Sequence, residues 1–194
     1  MRVDPVLNQA SISKIVKREI KLTNVFGNML FKLKSYLKFV LHSTNEHDVH
    51  SPFVYDFVTK CLYSKPKKSS NKTLDVLLKC IAYRKARTIQ IIGNSSYETL
   101  IDDAFPNIAF NVFPADLIFI AHPTAKILNG LLSEEKIHND SVLLLGSIHE
   151  NIETQEIWKK MAENKFFNVS IDMFYCGALF RRKEQKKEHF TIRI

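Results

Sequence analysis

The sequence predicts an α/β fold with a central, mostly parallel sheet that finishes in antiparallel strands. Three short apolar runs rich in β-branched residues, at 86–93, 115–122 and 141–149, alternate with segments of helical pattern. Strands that are apolar throughout are typical of a parallel sheet covered by helices on both faces. The segment 168–194 then holds strand patterns only, and Gly177 between two of them predicts a hairpin-like reversal.

Length and composition place the chain among ordinary globular proteins. Of its 194 residues, 45% are hydrophobic and 25% are charged, which is too apolar for a disordered chain. No run approaches the roughly 18 apolar residues of a membrane span, and the N-terminus lacks the apolar segment of a secretory signal. We therefore expect a cytoplasmic protein, with Cys61, Cys80 and Cys176 as buried, reduced thiols.

The net charge of +8 is concentrated in the first third of the chain. Residues 1–75 carry 13 Lys and Arg against 6 Asp and Glu, a net +7, whereas residues 76–194 carry 15 against 14. This asymmetry favours an acidic partner for the first third, with a simple solvated basic face as the alternative.

The first third begins with a weak helical pattern at 6–22 and a clearer one after it. The second pattern is a single apolar stripe formed by Phe26, Met29, Leu30, Leu33, Leu37, Val40 and Leu41. Lys32, Lys34 and Lys38 lie off the stripe. Such a helix can lie on an anionic membrane, but we expect the commoner arrangement, in which the stripe packs on the domain.

Further helices and a linker follow. Ser51-Pro52 predicts a turn with a helix after it, and the linker 64–72 is polar and basic. The imidazoles of His47 and His50 have no third metal ligand at suitable spacing. Helices are predicted around 74–81 and at 97–104, 124–132 and 152–161, with a short strand at 108–113. We divide the chain into a basic helical extension, 1–72, and an α/β domain, 73–194.

Two tracts carry a resemblance to a known family. The C-terminal IDMFYCGALFRRKEQKKEHFTIRI and the tract HDVHSPFVYDF resemble signatures of a methyltransferase-like family common in Bacteroidetes, and Ile148, His149 and Trp158 fit its DDIHWS…AW region. The resemblance implies a Rossmann-like class I methyltransferase fold that uses S-adenosylmethionine. It also implies that Gly93, Asn94 and Ser95 hold the methionine end of that cofactor and that Ser51 contacts it.

The chain departs from the family pattern at the cofactor loop. There the family has Glu-Leu-Gly-Thr-Ser-x-Gly, and this sequence has Ile91 in place of the acid and Tyr97 in place of the last glycine. A tyrosine there crowds a close backbone approach and resists a positive φ. Gly93 and Asp116 are only 23 positions apart, which predicts loss of the third strand and its flanking helices.

The later strand ends have also lost the acids that the family places there. The family reads FIDG and DDIH, whereas this chain has His122 and His149 without those carboxylates. We therefore predict no metal site, because a hard divalent cation needs carboxylate oxygens. The missing strand predicts an exposed sheet edge through which a homo- or hetero-oligomer can form.

Two functions remain open. The first is a non-catalytic binding or scaffolding protein that uses no cofactor and binds an acidic protein, including an intact methyltransferase paralogue, or RNA. Its predicted surface consists of Lys32, Lys34, Lys38, Lys65, Lys67, Lys68, Arg181 and Arg182. The second is an active S-adenosylmethionine-dependent methyltransferase of unknown acceptor, in which His50, His122 or His149 is the general base.

Overall fold

The fold is that of a computed structural model, which describes residues 27–44 and 50–194. The helical pattern at 6–22, Phe26 and His47 lie outside the described residues. The described helices are α1 (27–42), α2 (Pro52–Asp56, continued by a π-helical turn at Phe57–Leu62), α3 (Lys72–Arg84), α4 (Ser95–Ala104), α5 (Ala125–Asn129) and α6 (Ile152–Glu163). No bilayer-crossing helix is found within these residues.

Seven strands form one mixed sheet, as the apolar runs predict. The strands are β1 (Thr88–Ile92), β2 (Ala109–Phe110), β3 (Leu117–Ile120), β4 (Val142–Gly146), β5 (Val169–Asp172), β6 (Cys176–Phe180) and β7 (Glu188–Thr191). Their order across the sheet is β2-β1-β3-β4-β6-β5-β7. The predicted α/β class with a mostly parallel sheet is therefore confirmed.

The strand directions give the sheet two distinct edges. β6 pairs antiparallel with both β4 and β5, which confirms the predicted antiparallel pairing near the C-terminus, whereas β5 and β7 pair in parallel. Every strand except β6 therefore ends at the same edge, which we call the carboxyl edge. After β1 the chain forms β2 on one side of it and then crosses to form β3 on its other side. The strand order therefore reverses at β1.

Helices cover both faces of the sheet. On one face the core includes Val54 and Phe57 from α2 and its π-helical turn, Leu77 from α3 and Ile101 from α4. On the other face it includes Leu128 of α5 together with Trp158 and Met161 of α6. The segment 52–62 thus shares a continuous core with the sheet, although it precedes the predicted boundary at residue 72.

Helix α1 packs against the domain with the side opposite its predicted apolar stripe. Ser35 and Phe39 are buried, whereas Met29, Leu30, Leu33, Leu37 and Leu41 are exposed. The expectation that the apolar stripe packs on the domain is therefore wrong. The reason is an aromatic cluster at the carboxyl edge: the Phe39 and Tyr36 rings lie 5.4 and 4.9 Å from the Phe174 ring, and these contacts orient the helix.

The remaining sequence predictions concern the thiols and the sheet edge. Cys61, Cys80 and Cys176 are free and buried, as predicted. The edge beside β1 is formed by β2, which is only two residues long and is followed by Asn111 at φ 61°. So short a strand offers little backbone for pairing with another chain, and an oligomer through this edge stays a prediction.

Gly177 does not make the chain reversal that the sequence suggested. The reversal occurs at Phe174 and Tyr175, with Phe174 at φ 68°, and Gly177 lies within β6. A Cβ atom at Gly177 would lie 2.4 Å from Cζ3 of Trp158, because the indole of α6 packs flat on this position. The glycine is required for that close approach and not for a turn.

We predict that Gly177→Ala destabilises the fold by about 2 kcal/mol, because the added methyl group overlaps the Trp158 ring. Urea unfolding measured by circular dichroism tests this. Gly130→Ala is the matched control, since its Cβ would meet its nearest neighbour at 3.5 Å. An equal unfolding midpoint for Gly177→Ala and the wild type would contradict the assigned packing.

Candidate functional site

The carboxyl edge is where an open parallel sheet binds its ligands, at the point where the strand order reverses. Gly93 follows β1 there, His122 follows β3, and His149 lies just after β4. Asp172 is the last residue of β5 at the same edge. The parallel strand directions therefore bring these polar strand ends to one side of the molecule.

A buried carboxylate organises one half of this edge. Oδ2 of Asp172 accepts hydrogen bonds from Nε2 of His149 at 2.8 Å and from Nε1 of Trp158 at 3.1 Å. Its Oδ1 accepts one from the backbone N–H of Phe174 at 2.8 Å. Asp172 is 6% exposed. Both oxygens are thus satisfied within the protein, as a buried carboxylate requires.

His149 is held on all sides by the same network. Nε2 of Gln155 lies 2.9 Å from Nδ1 of His149, and Oδ2 of Asp172 lies 2.8 Å from Nε2, so both ring nitrogens have a hydrogen-bond partner. The ring stacks on Phe174 at 5.0 Å with an interplanar angle of 9°, and the Phe39 ring meets its edge. Neither ring nitrogen is left to accept a proton from a substrate.

Helix α1 covers this network from outside. Nε2 of Gln155 lies 3.4 Å from Oγ of Ser35, and Nζ of Lys32 donates to Oε2 of Glu150 at 2.8 Å. Together with the aromatic contacts of Phe39, these bonds place α1 across the ends of β4 and β5. Beside these contacts, His149 lines a cavity of about 390 Å³ with Phe174 and one of about 410 Å³ with Asp172, so its ring is hydrogen-bonded but still borders open space.

The loop after β1 forms the other half of the edge. Gly93 has φ 85°, as a tight strand-to-helix turn requires, and Oγ of Ser96 donates to Oδ1 of Asn94 at 2.7 Å. The Tyr97 ring stacks on Phe119 of β3 at 5.5 Å, and burial raises the pKa of its hydroxyl. Gly93 and Asn94 therefore form the turn that leads into α4, which begins at Ser95, and Tyr97 packs flat on the sheet beside it.

Ser51 lies where the parallel strands begin, at the end of the sheet opposite the carboxyl edge that holds Gly93. Its Oγ donates to Oε1 of Gln185 at 3.4 Å, in the loop that enters β7. The two edges are separated by the length of a five-residue strand, roughly 16 Å. The expectation that Ser51 contacts a cofactor held at Gly93 is therefore corrected, because the strand length keeps the two residues apart.

The two tracts that carry the family resemblance pack against each other at that opposite edge. The Phe53 ring meets the Phe180 ring edge-on at 5.1 Å, and the Arg182 guanidinium lies 4.5 Å from the Phe53 ring centroid. In this structure these tracts bind helix α2 to the C-terminal strands. His50, just before them, is exposed and far from the carboxyl edge.

His122 is open to solvent, whereas Arg181 and Arg182 are held by carboxylates of the domain. His122 is exposed after β3, with no hydrogen bond to His149. Arg181 is buried and paired with Glu134, and Arg182 pairs with Asp140 at 2.6 Å. Both arginines form ion pairs within the domain. They therefore do not add to an exposed basic surface, in contrast to the prediction.

The lysines of the first third line two adjoining cavities. A cavity of about 830 Å³ is lined in part by Lys65, Lys67 and Lys72, and one of about 390 Å³ in part by Lys32 and Lys72. Lys72 belongs to both walls. Burial, together with the charge of Lys67, lowers the pKa of Lys72. Lys68 is exposed beside the larger cavity, and Lys34 and Lys38 are exposed on α1.

Sequence reasoning missed the centre of the network. The sequence patterns single out neither Asp172 nor Gln155, and Trp158 enters only through the family resemblance. The available signal is an acid at the last position of a strand pattern, Val169–Asp172. Lys72 was also missed.

Within 27–44 and 50–194, no three His, Cys, Asp or Glu residues come together as a metal site.

Comparisons with models of protein families, with curated proteins and with solved structures find no match to this chain. The resemblance to the methyltransferase-like family therefore rests on the quoted tracts and stays a prediction.

We predict that Asp172→Asn lowers the free energy of unfolding by about 3 kcal/mol, because the amide cannot accept from His149, Trp158 and Phe174 together. Denaturant unfolding followed by the near-ultraviolet signal of Trp158 measures the loss. Asp102→Asn, which removes the same charge from an exposed position, is expected to change stability by less than about 0.5 kcal/mol. Equal effects of the two substitutions would show that the network is not a stabilising element.

Proposed function

We propose that this chain is a non-catalytic binding protein built on a methyltransferase-like scaffold, with an acidic protein or nucleic acid as its partner. One observation carries the proposal. At the carboxyl edge, where such a scaffold would hold cofactor and acceptor, the chain places a closed network of its own side chains. A general base needs a free nitrogen within reach of its substrate, and His149 has none.

The sheet topology supports the scaffold part of the proposal. The order β2-β1-β3-β4, with α4 on one face and α5 and α6 on the other, is what a class I methyltransferase would retain after losing its third strand. The antiparallel β6 inserted between β4 and β5 agrees with the finish that the resemblance implies.

The loop after β1 supports the loss of cofactor binding. Ile91, where the family has an acid, is buried within the apolar core. Tyr97 replaces the glycine that would permit a close backbone approach, and its ring is packed on Phe119. A cofactor seated over this loop would have to displace the tyrosine and would find no carboxylate at the end of β1.

The lysine-lined cavities support an acidic partner. The acids in their walls are already paired: Asp75 with Lys79 at 2.9 Å and Glu150 with Lys32 at 2.8 Å. Lys65, Lys67 and Lys68 are exposed, and none of them is within ion-pair distance of a described carboxylate. Their positive potential is thus available to an acidic surface from outside.

A residual S-adenosylmethionine-dependent methyltransferase is the second candidate. It is favoured by the positive φ of Gly93 and by the exposed imidazole of His122, which follow neighbouring parallel strands. Methyl transfer depends more on a close, oriented approach than on strong acid–base chemistry. This candidate requires that the space beside Tyr97 open to admit the cofactor.

We predict that calorimetric titration of the ligand-free protein with S-adenosylmethionine and with S-adenosylhomocysteine gives no heat of binding up to millimolar ligand. The physical reason is the buried Ile91 and the packed Tyr97 ring. A known S-adenosylmethionine-dependent enzyme, titrated with the same ligand stock, is the positive control. Saturable binding at micromolar concentration would replace the binding-protein proposal with the methyltransferase.

We further predict that the protein binds fluorescein-labelled polyglutamate or single-stranded RNA at low salt and that added salt weakens the binding. Replacing Lys65, Lys67 and Lys68 by Gln should lower the slope of log affinity against log salt for RNA by roughly 2. The matched control replaces Lys126, Lys160 and Lys165, which are also exposed, and should leave the slope unchanged. Absence of binding to both polymers at low salt would remove the acidic partner.

A further inference from the structure

The outward face of α1 is an apolar surface that the described chain does not cover. Met29, Leu30, Leu33, Leu37 and Leu41 are between 51% and 81% exposed. They recur along about three turns of helix, a length of roughly 18 Å. Isolated apolar residues at a surface need no explanation, but a continuous row on one helix face marks an interaction site.

The helix geometry separates this face from the side that holds α1 to the domain. At about 100° per residue, these five residues fall within an arc of roughly 120°, and Ser35 and Phe39 lie on the opposite side. Lys34 and Lys38 border the apolar arc on one flank. On the other flank the arc is followed by Tyr36, which packs on Phe174, and then by Lys32, which is paired with Glu150. All three lysines are exposed.

Charge selects among the possible occupants of this face. Described α1 carries three lysines and no acid, and residues 1–26 carry five Lys and Arg against two Asp and Glu. A second copy of α1, or the chain's own first 26 residues, would therefore bring like charges together. A bilayer with anionic headgroups offers an apolar interior and, beside it, the charge opposite to that of Lys34 and Lys38.

We propose that α1 is an interfacial helix that binds the surface of an anionic membrane. Leu33 and Leu37 enter the boundary between headgroups and acyl chains, and Lys34 and Lys38 contact the headgroup phosphates. The helix lies in the plane of the surface, while Phe39 and Ser35 keep it joined to the domain. This inference goes beyond the proposed function, because it uses the outward face of α1 and not the lysine-lined cavities.

Co-sedimentation of the full chain with vesicles tests the proposal. Vesicles of phosphatidylcholine alone are compared with vesicles that also contain phosphatidylglycerol. We expect binding to the mixed vesicles and little to the neutral ones. Lys34→Gln with Lys38→Gln should weaken binding to the mixed vesicles by roughly 30-fold, from about 1 kcal/mol for each lysine near the surface.

Leu33→Glu with Leu37→Glu should abolish vesicle binding while leaving the fold intact, because both residues are exposed. Leu100→Glu with Val112→Glu is the control, since it places the same charges at exposed apolar positions away from α1 and should bind like the wild type. In a Leu37→Trp variant, mixed vesicles should shift the emission of the added tryptophan to the blue, whereas the buried Trp158 stays constant.

Two outcomes would overturn the proposal. One is equal binding of the Leu33→Glu, Leu37→Glu variant and the wild type to the mixed vesicles. The other is absence of binding by the wild type. If light scattering then shows a dimer that the same double substitution dissociates, the face is occupied by a second copy of the chain.

Discussion

The carboxylate of Asp172 is the constraint on which the carboxyl edge depends. A buried carboxylate must have each oxygen hydrogen-bonded, and its donors come from the segment after β4, from α6 and from the turn after β5. The bond to Trp158 draws the indole over β6, where only a glycine fits. The bond to His149 fixes the orientation of the imidazole, which stacks on the Phe174 ring. Phe39 of α1 packs against both rings. Through these contacts one acid joins the sheet, α6 and α1.

This arrangement has a chemical consequence. Histidine, acid, amide and indole at the strand ends resemble the inventory of a catalytic site, yet each polar atom here is satisfied by another residue of the chain. The network joins the strand ends to α6 and gives both ring nitrogens of His149 a hydrogen-bond partner within the chain. Positive charge that is free to act lies elsewhere, on the loop 64–72 and on α1. Recognition of an acidic or lipid surface is therefore better supported by the chemistry of this molecule than turnover at the edge of its sheet.

The sequence predicted the architecture well and the site poorly, for physical reasons. Apolar runs such as Val142–Gly146 are buried on both faces, so their pattern is set by local burial and can be read directly. The short β2 and the shortened segment between Gly93 and Asp116 also follow from chain length. The packing side of α1 could not be read, because it is decided by the distant Phe174. The distance between Ser51 and Gly93 depends on strand direction, and the role of Gly177 depends on an indole 19 positions earlier in the chain.

The most direct test of this account uses the single tryptophan of the chain. Its indole N–H, donated to the buried Asp172, gives one isolated nitrogen–proton resonance in an NMR spectrum. We predict that this proton is strongly protected from exchange with solvent and that its resonance does not move when S-adenosylmethionine is added. Rapid exchange, or a shift that saturates with ligand, would show that the carboxyl edge is open and would contradict the closed network at the centre of this account.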